Sequence, residues 1–101
     1  MYVSRLSFRT LPGKTGETEK ELRKLRKMVA DAGGIQPRIL HTHFASPGAP
    51  DIVFEQETRD LAQLEAEMST LTAGSEFQSW TSRVSALLSE SPKREIYLIS
   101  G

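Results

Sequence analysis

The chain has 101 residues, thirteen basic and thirteen acidic side chains, and no cysteine. This length fits a single core, so residues 1–101 are predicted to form one domain. A formal net charge of zero provides no overall field to attract nucleic acid or an anionic membrane, and the lack of cysteine excludes disulfides, thiolate metal sites and cysteine nucleophiles. No apolar run approaches the roughly 20 residues that span a bilayer, and the first residues lack a signal-peptide pattern. We therefore expect a cytoplasmic protein without nucleic-acid or membrane partners.

Turn residues and changes of hydrophobic period divide the chain into six predicted elements. In chain order these are a strand at Tyr2–Arg9, a helix from Thr15 or Thr18 to about Ala32, strands at Arg38–Phe44 and Ile52–Glu57, a helix from about Thr58 to Glu90 that is broken at Thr72–Gly74, and a strand at Glu95–Ser100. The order β-α-β-β-α-β is typical of the ferredoxin-like α+β fold, in which four antiparallel strands carry both helices on one face.

The alternation of side chains along the strands predicts which residues face the helices. The apolar positions predicted to face the helices are Leu6, Phe8, Leu40, Phe44, Ile52, Phe54, Ile96 and Leu98. The opposite, open face is then predicted to carry Val3, Arg5, Ser7, Arg9, Ile39, His41, His43, Val53, Glu55, Glu57, Glu95, Tyr97 and Ile99.

The predicted open face mixes apolar and charged side chains. A sizeable exposed apolar patch usually marks an interface or a ligand site, whereas unpaired charges disfavour a dry interface. A cavity closed by the sheet of a second copy satisfies both observations. We therefore predict a homodimer whose sheets pack face to face and enclose a small organic ligand.

Several short phrases of the chain resemble those of the dimeric α+β barrel proteins, in particular the NIPSNAP-like and antibiotic-biosynthesis-monooxygenase-like members. These phrases are Leu11–Lys14 after the first strand, the broken second helix, Phe77–Trp80, and Ser91–Tyr97. The resemblance covers nearly the whole chain and implies ferredoxin-like protomers whose open sheets pair into a barrel. It implies a place for a site, whereas the chemistry varies among such proteins.

The haem-degrading members of that superfamily use an Asn, a Trp and a His together. The chain contains Trp80 but no asparagine, and its histidines lie on a predicted strand. We therefore do not expect haem degradation, and no cofactor is predicted.

Both histidines, His41 and His43, lie two residues apart on a predicted strand, so their rings should project from one face. That spacing suits two ligands of one metal ion, but contact with a ligand or with polar neighbours is the favoured interpretation, and no metal is predicted. The hairpin register leaves open whether His41 faces Glu55 or Phe54. Beside Glu55, either histidine would be a candidate catalytic base, although a pair that only orders the strands is the preferred alternative.

Five charged or aromatic side chains of the predicted open face are candidate ligand-binding residues. They are Arg5, Arg9, Glu55, Glu57 and Tyr97. The arginines could bind a carboxylate or phenolate, or could neutralise the two glutamates, which is the simpler interpretation. The phenol of Tyr97 offers a stacking surface and a proton. Phe77 and Trp80 lie on the apolar stripe of the second helix and are predicted to belong to the core.

Together these patterns predict a small-molecule-binding protein. The resemblance implies that, if the chain is an enzyme, it would be similar to a cofactor-independent monooxygenase or isomerase acting in the cavity between the sheets. The alternative is a ligand-binding or interaction module without catalysis, and the sequence leaves open whether the chain is an enzyme.

Overall fold

The computed structural model describes residues 1–101, and the chain forms four strands and three helices. The strands are β1 (Tyr2–Phe8), β2 (Arg38–His41), β3 (Ile52–Thr58) and β4 (Lys93–Leu98). The helices are α1 (Thr15–Asp31), α2 (Leu61–Thr72) and α3 (Ser75–Ser85). The predicted order of elements and the break in the second helical region are therefore confirmed. None of the three helices has the length and apolar character needed to cross a membrane.

The four strands form one sheet in the order β2-β3-β1-β4, and every neighbouring pair is antiparallel. Arg5 on β1 lies opposite Glu55 on β3 and opposite Glu95 on β4. Because directly paired residues share a face, one row of charged side chains crosses the sheet. The architecture is the predicted ferredoxin-like α+β fold.

The core lies between the sheet and the helices. The buried apolar residues that form it are Phe8, Ile52 and Phe54 of the sheet, Leu22, Leu25 and Met28 of α1, and Trp80 and Val84 of α3. Burial of apolar surface is the main driving force of folding, and here it fixes the helices on one face of the sheet. The other face is left without a covering layer.

Local chemistry sets the ends of the helices. The carboxylate of Asp60 accepts hydrogen bonds from the backbone N–H groups of Ala62 and Gln63, so α2 begins after Asp60 and not at Thr58. Helix α1 is followed by Gly33 with a φ of 84°, a left-handed conformation that favours glycine.

Helix α3 ends at Ser85, five residues before the predicted end. The backbone N–H of Leu11 donates to the carbonyl of Leu87 at 2.9 Å, and that of Ser89 donates to the carbonyl of Arg9 at 2.9 Å. The chain after α3 therefore pairs with the chain after β1 and cannot continue as a helix.

The predicted faces of β2 are wrong by one residue. Ile39 lies opposite Phe54 and His41 opposite Ile52, so both point toward the helices. Leu40 lies on the open face and is 42% exposed, and Phe44 lies beyond the strand and is 96% exposed. The cause is that β2 has only four residues and contains apolar side chains at neighbouring positions, so its alternation does not determine its orientation.

Strand β4 is also less covered than predicted. Ile96 and Leu98 lie opposite Ser4 and Tyr2, on the side of the sheet that carries the helices. Both are nevertheless exposed, as is every residue of β4. The helices therefore cover the centre of the sheet and leave this edge strand open.

Candidate functional site

A buried carboxylate lies at the centre of the open face. Glu55 is only 2% exposed, although no helix covers it. Its Oε2 accepts a hydrogen bond from Nε of Arg5 at 2.7 Å. Its Oε1 accepts from Nη2 and Nε of Arg38 at 2.8 and 3.0 Å. The two guanidinium groups therefore cover the carboxylate from the neighbouring strands β1 and β2.

The two arginines determine the charge state of Glu55. Burial by itself raises the pKa of this carboxyl group, but the hydrogen bonds from Arg38 and Arg5 outweigh burial and hold the pKa below its usual value. Glu55 is therefore ionised at neutral pH, and the contact likewise raises the pKa of Arg38. An ionised carboxylate that already accepts three hydrogen bonds from two arginines is a poor proton acceptor.

Tyr97 lies on β4 opposite Val3, next to this row. The guanidinium of Arg5 lies over its ring, 5.3 Å from the centroid, and the phenol donates a hydrogen bond of 2.8 Å to Glu95. That hydrogen bond is the main cause that raises the pKa of Tyr97. Of the five predicted ligand-binding residues, Arg5, Glu55 and Tyr97 are thus brought together.

The other two candidates make no hydrogen bond to this cluster, although Glu57 lines a depression of the surface with Arg38 and Glu55. Nε of Arg9 contacts a carboxylate oxygen of Glu90 at 3.1 Å, which ties the end of β1 to the segment after α3. Glu57 is exposed and lies opposite Val3. Arg38 takes the place at Glu55 that the sequence suggested for other residues. It was missed because the predicted orientation of β2 is inverted. The predicted orientation would place Arg38 on the helix side of the sheet, whereas it lies on the open face.

The histidines occupy the edge of the molecule. Nδ1 of His41 lies 3.2 Å from Oε2 of Glu19 on α1, and the residue opposite it is Ile52, so the expected pairing with either Glu55 or Phe54 is wrong. Because β2 ends at His41, His43 lies in the following connection, where the alternation of strand faces no longer applies. No three His, Cys, Asp or Glu side chains converge on a common point where they could hold a metal ion.

A cavity of about 270 Å³ lies on the other side of the sheet, between the strands and the helices. Its apolar lining consists of Leu6, Phe8, Leu25, Val29, Phe54, Met68, Leu71, Phe77 and Trp80. The remaining lining residues are Ser4, Gln56, Thr81, Pro92 and Arg94. The cavity predicted from the sequence lies between the open faces of two copies and stays a prediction, whereas this cavity lies within one chain, under the helices.

Two aromatic residues of α3 form one wall of this cavity. The rings of Phe77 and Trp80 stack with centroids 5.6 Å apart and an interplanar angle of 26°. The indole N–H of Trp80 donates a hydrogen bond of 2.6 Å to the carbonyl of Glu21 on α1. The prediction that Trp80 belongs to the core is confirmed, and Phe77 packs against that core. Their contact with a cavity could not be inferred from the helical spacing alone.

Arg94 is the lining residue that sequence reasoning missed most clearly. It lies opposite Leu6 on the helix side of β4, in a strand predicted to begin only at Glu95. Its side chain shares that side with Ile96. A charged residue two positions before an apolar strand residue, on the face assigned to the core, was the signal that could have identified it.

Comparison with known proteins gives a result at the level of fold. No protein-family model and no curated protein matches the chain. A NIPSNAP domain protein from Burkholderia xenovorans is similar with a TM-score of 0.74 and 19% identity over 99% of this chain and 95% of that chain. A NIPSNAP family protein from Agrobacterium tumefaciens gives 0.71 and 19%, over 98% and 85% of the two chains. An antibiotic biosynthesis monooxygenase gives 0.70 and 14%, over 100% of both chains. The predicted resemblance is therefore confirmed as one of fold, and the chain has the ferredoxin-like α+β architecture of the NIPSNAP and antibiotic biosynthesis monooxygenase proteins.

Proposed function

We propose that the chain binds a small, largely apolar organic molecule in the cavity between the helices and the sheet. The observation that carries this proposal is the cavity itself, because nine of its fourteen lining residues are hydrophobic. Its volume of about 270 Å³ is just below the roughly 300–1,000 Å³ of sites for drug-sized ligands. A small number of polar groups on an apolar wall is the usual composition of such a site.

The proposal is tested with octanamide, a neutral molecule with a single apolar chain. Trp80 is the only tryptophan and lines the cavity, so its fluorescence should change saturably on titration. Ser4→Phe places a ring in the cavity and should abolish the change. Thr81→Phe is a second variant that fills the same cavity. Thr81 is exposed on α3, so this substitution should not prevent folding, and it should also abolish the fluorescence change.

The matched control is Ser82→Phe, one residue along α3 on an exposed position outside the lining. It should bind octanamide as the unaltered chain does. Equal binding by the Ser4→Phe, Thr81→Phe and Ser82→Phe variants would contradict the cavity as the site.

A cofactor-independent monooxygenase or isomerase is the second candidate, and the similarity to an antibiotic biosynthesis monooxygenase favours it. Such a reaction needs a base beside the substrate, yet neither an imidazole nor a carboxylate lines the cavity. His41 and His43 remain the candidates for that role and would have to act from the sheet edge. Turnover that is lost in Ser4→Phe and in the His41→Ala/His43→Ala double variant would support catalysis, whereas ligand binding without turnover supports a binding module.

Dimerisation through the open face is the remaining part of the proposal. This face is uncovered and exposes Leu40, Tyr97 and Ile99 around the row of charged residues. The charge of Glu55 is already matched within the chain by two arginines, so a second sheet would not bury an unpaired carboxylate. A homodimer with its sheets facing each other would remove the exposed apolar surface from water.

A further inference from the structure

The polar groups of the cavity differ in whether they remain available to a ligand. The indole N–H of Trp80 and the side-chain amide of Gln56 donate to backbone carbonyls at 2.6 and 3.0 Å. The hydroxyl of Thr81 donates to the carbonyl of Phe77 at 3.0 Å. Each of these three groups therefore already makes one hydrogen bond within the fold.

Arg94 differs from the other polar lining groups by its charge. It is the only charged residue of the lining, and its side chain is about one-third exposed. Nε lies 3.5 Å from the hydroxyl of Ser4, and Nη2 donates to Glu65 at 3.0 Å. A guanidinium carries five N–H groups, so donors remain unshared at the cavity. The only full charge at the cavity wall is therefore positive.

The contact with Glu65 is of a kind that is easily exchanged. Glu65 lies on α2 and is 57% exposed, so its carboxylate loses little hydration in the pair. Solvent-exposed ion pairs contribute little to stability. The carboxylate of a ligand with an apolar part has an advantage over that of Glu65. Burial of the apolar part in the cavity holds the ligand carboxylate beside the guanidinium.

We propose that the ligand is an amphipathic carboxylic acid whose carboxylate replaces Glu65 at Arg94 while its apolar body fills the cavity. This inference rests on the proposed ligand site and adds the chemical class of the ligand. The planar fork of a guanidinium matches the two oxygens of a carboxylate. The stacked rings of Phe77 and Trp80 and the side chain of Leu6 contact the apolar part.

The test compares octanoate with octanamide, which has the same length but no charge, by isothermal titration calorimetry. We expect octanoate to bind about tenfold more tightly, which corresponds to about 1.4 kcal/mol. Arg94→Met should reduce the affinity for octanoate more than the affinity for octanamide, so that the two molecules bind about equally. Arg94→Lys keeps the charge and should retain part of the preference.

Glu65→Gln provides a readout that does not depend on the stability of the cavity. It removes the competing carboxylate from an exposed position, so octanoate should bind a few-fold more tightly and octanamide should bind unchanged. A purely structural role for Arg94 would not produce this gain.

The possible results separate the two proposals. Equal affinities for octanoate and octanamide, both abolished by Ser4→Phe, would overturn the carboxylate inference and leave the cavity as a ligand site. Binding of neither molecule would overturn both. Equal weakening of both molecules by Arg94→Met would assign Arg94 a structural role and would also overturn the inference.

Discussion

Glu55 is the only buried charged residue of the chain, and it lies on the face of the sheet that no helix covers. Taking a carboxylate out of water is costly unless hydrogen bonds and opposite charge compensate for it. Arg5 and Arg38 supply both, from the two strands that flank β3. The residue therefore links β1, β3 and β2 across the sheet through side chains, in addition to the backbone ladder.

The lowered pKa of Glu55 predicts how stability depends on pH. Since the pKa is lower in the folded chain than in the unfolded chain, the unfolded chain binds more protons between the two values. The stabilisation is therefore complete above about pH 4.3, the ordinary glutamate value, and is lost as the pH falls through the folded value. Chemical denaturation at a fixed chain concentration over this acidic range should show the loss in the unaltered chain and a smaller loss in Glu55→Gln.

At neutral pH, Glu55→Gln should lower the free energy of unfolding by about 1–3 kcal/mol, because two arginines lose their charged acceptor. Glu57→Gln is the control, since Glu57 is exposed on the same strand and face. It should change stability by less than about 0.5 kcal/mol. An acid dependence that is the same in Glu55→Gln and in the unaltered chain would contradict the assigned role.

At the scale of elements, α2 depends on its first residues. Only Leu64 of this helix is fully buried, so packing holds α2 less strongly than α1. The carboxylate of Asp60 satisfies the N–H groups of Ala62 and Gln63, which have no partners within the helix. Because α2 contributes Met68 and Leu71 to the cavity wall, this cap also supports the candidate site.

Asp60→Ala should lower the free energy of unfolding by about 1 kcal/mol, the usual effect of losing an N-cap side chain. Asp60→Asn keeps an acceptor at the same position and should preserve most of the stability. Urea denaturation followed by circular dichroism measures both. A loss as large in Asp60→Asn as in Asp60→Ala would show that the cap is not the cause.

The elements also show where sequence patterns lose their power. Long amphipathic segments such as Thr15–Asp31 were predicted with their correct type because many residues repeat the same period. Strand β2 was not oriented correctly, because Ile39 and Leu40 are both apolar and four residues contain too few alternations. Loop geometry, which the sequence does not encode as a period, sets the hairpin register that places His41 opposite Ile52.

The candidate site was less predictable than the fold. Arg5, Glu55 and Tyr97 were identified because a charged or aromatic residue on an uncovered strand face is visible in the alternation. The cavity was not, because it results from incomplete packing of helices on the sheet. Its size depends on how the side chains of distant elements, such as Met68 and Phe54, meet in three dimensions.

For the whole molecule, the layers are unequal. The helices cover one face of a four-stranded sheet, and the opposite face exposes apolar side chains around a charge-paired centre. Contiguous exposed apolar patches are rare on monomers and usually mark an interface. This imbalance is the physical basis of the proposed homodimer.

Light scattering coupled to size exclusion should therefore give a mass of twice 11.3 kDa. Leu40→Asp should shift the mass toward the single chain, because an unpaired carboxylate at the interface is costly. Ile96→Asp is a matched control, since both residues are 42% exposed but Ile96 lies on the helix side. A mass of 11.3 kDa for the unaltered chain at all concentrations would contradict the dimer.

The location of the cavity within one chain has a consequence for stoichiometry. All of its lining residues, from Ser4 to Arg94, come from a single copy. Ligand binding in the cavity and dimerisation are then separate equilibria, and each can take place without the other. Ligand binding should follow a simple hyperbola with one molecule bound per chain. The binding curve should be the same for Leu40→Asp as for the unaltered chain.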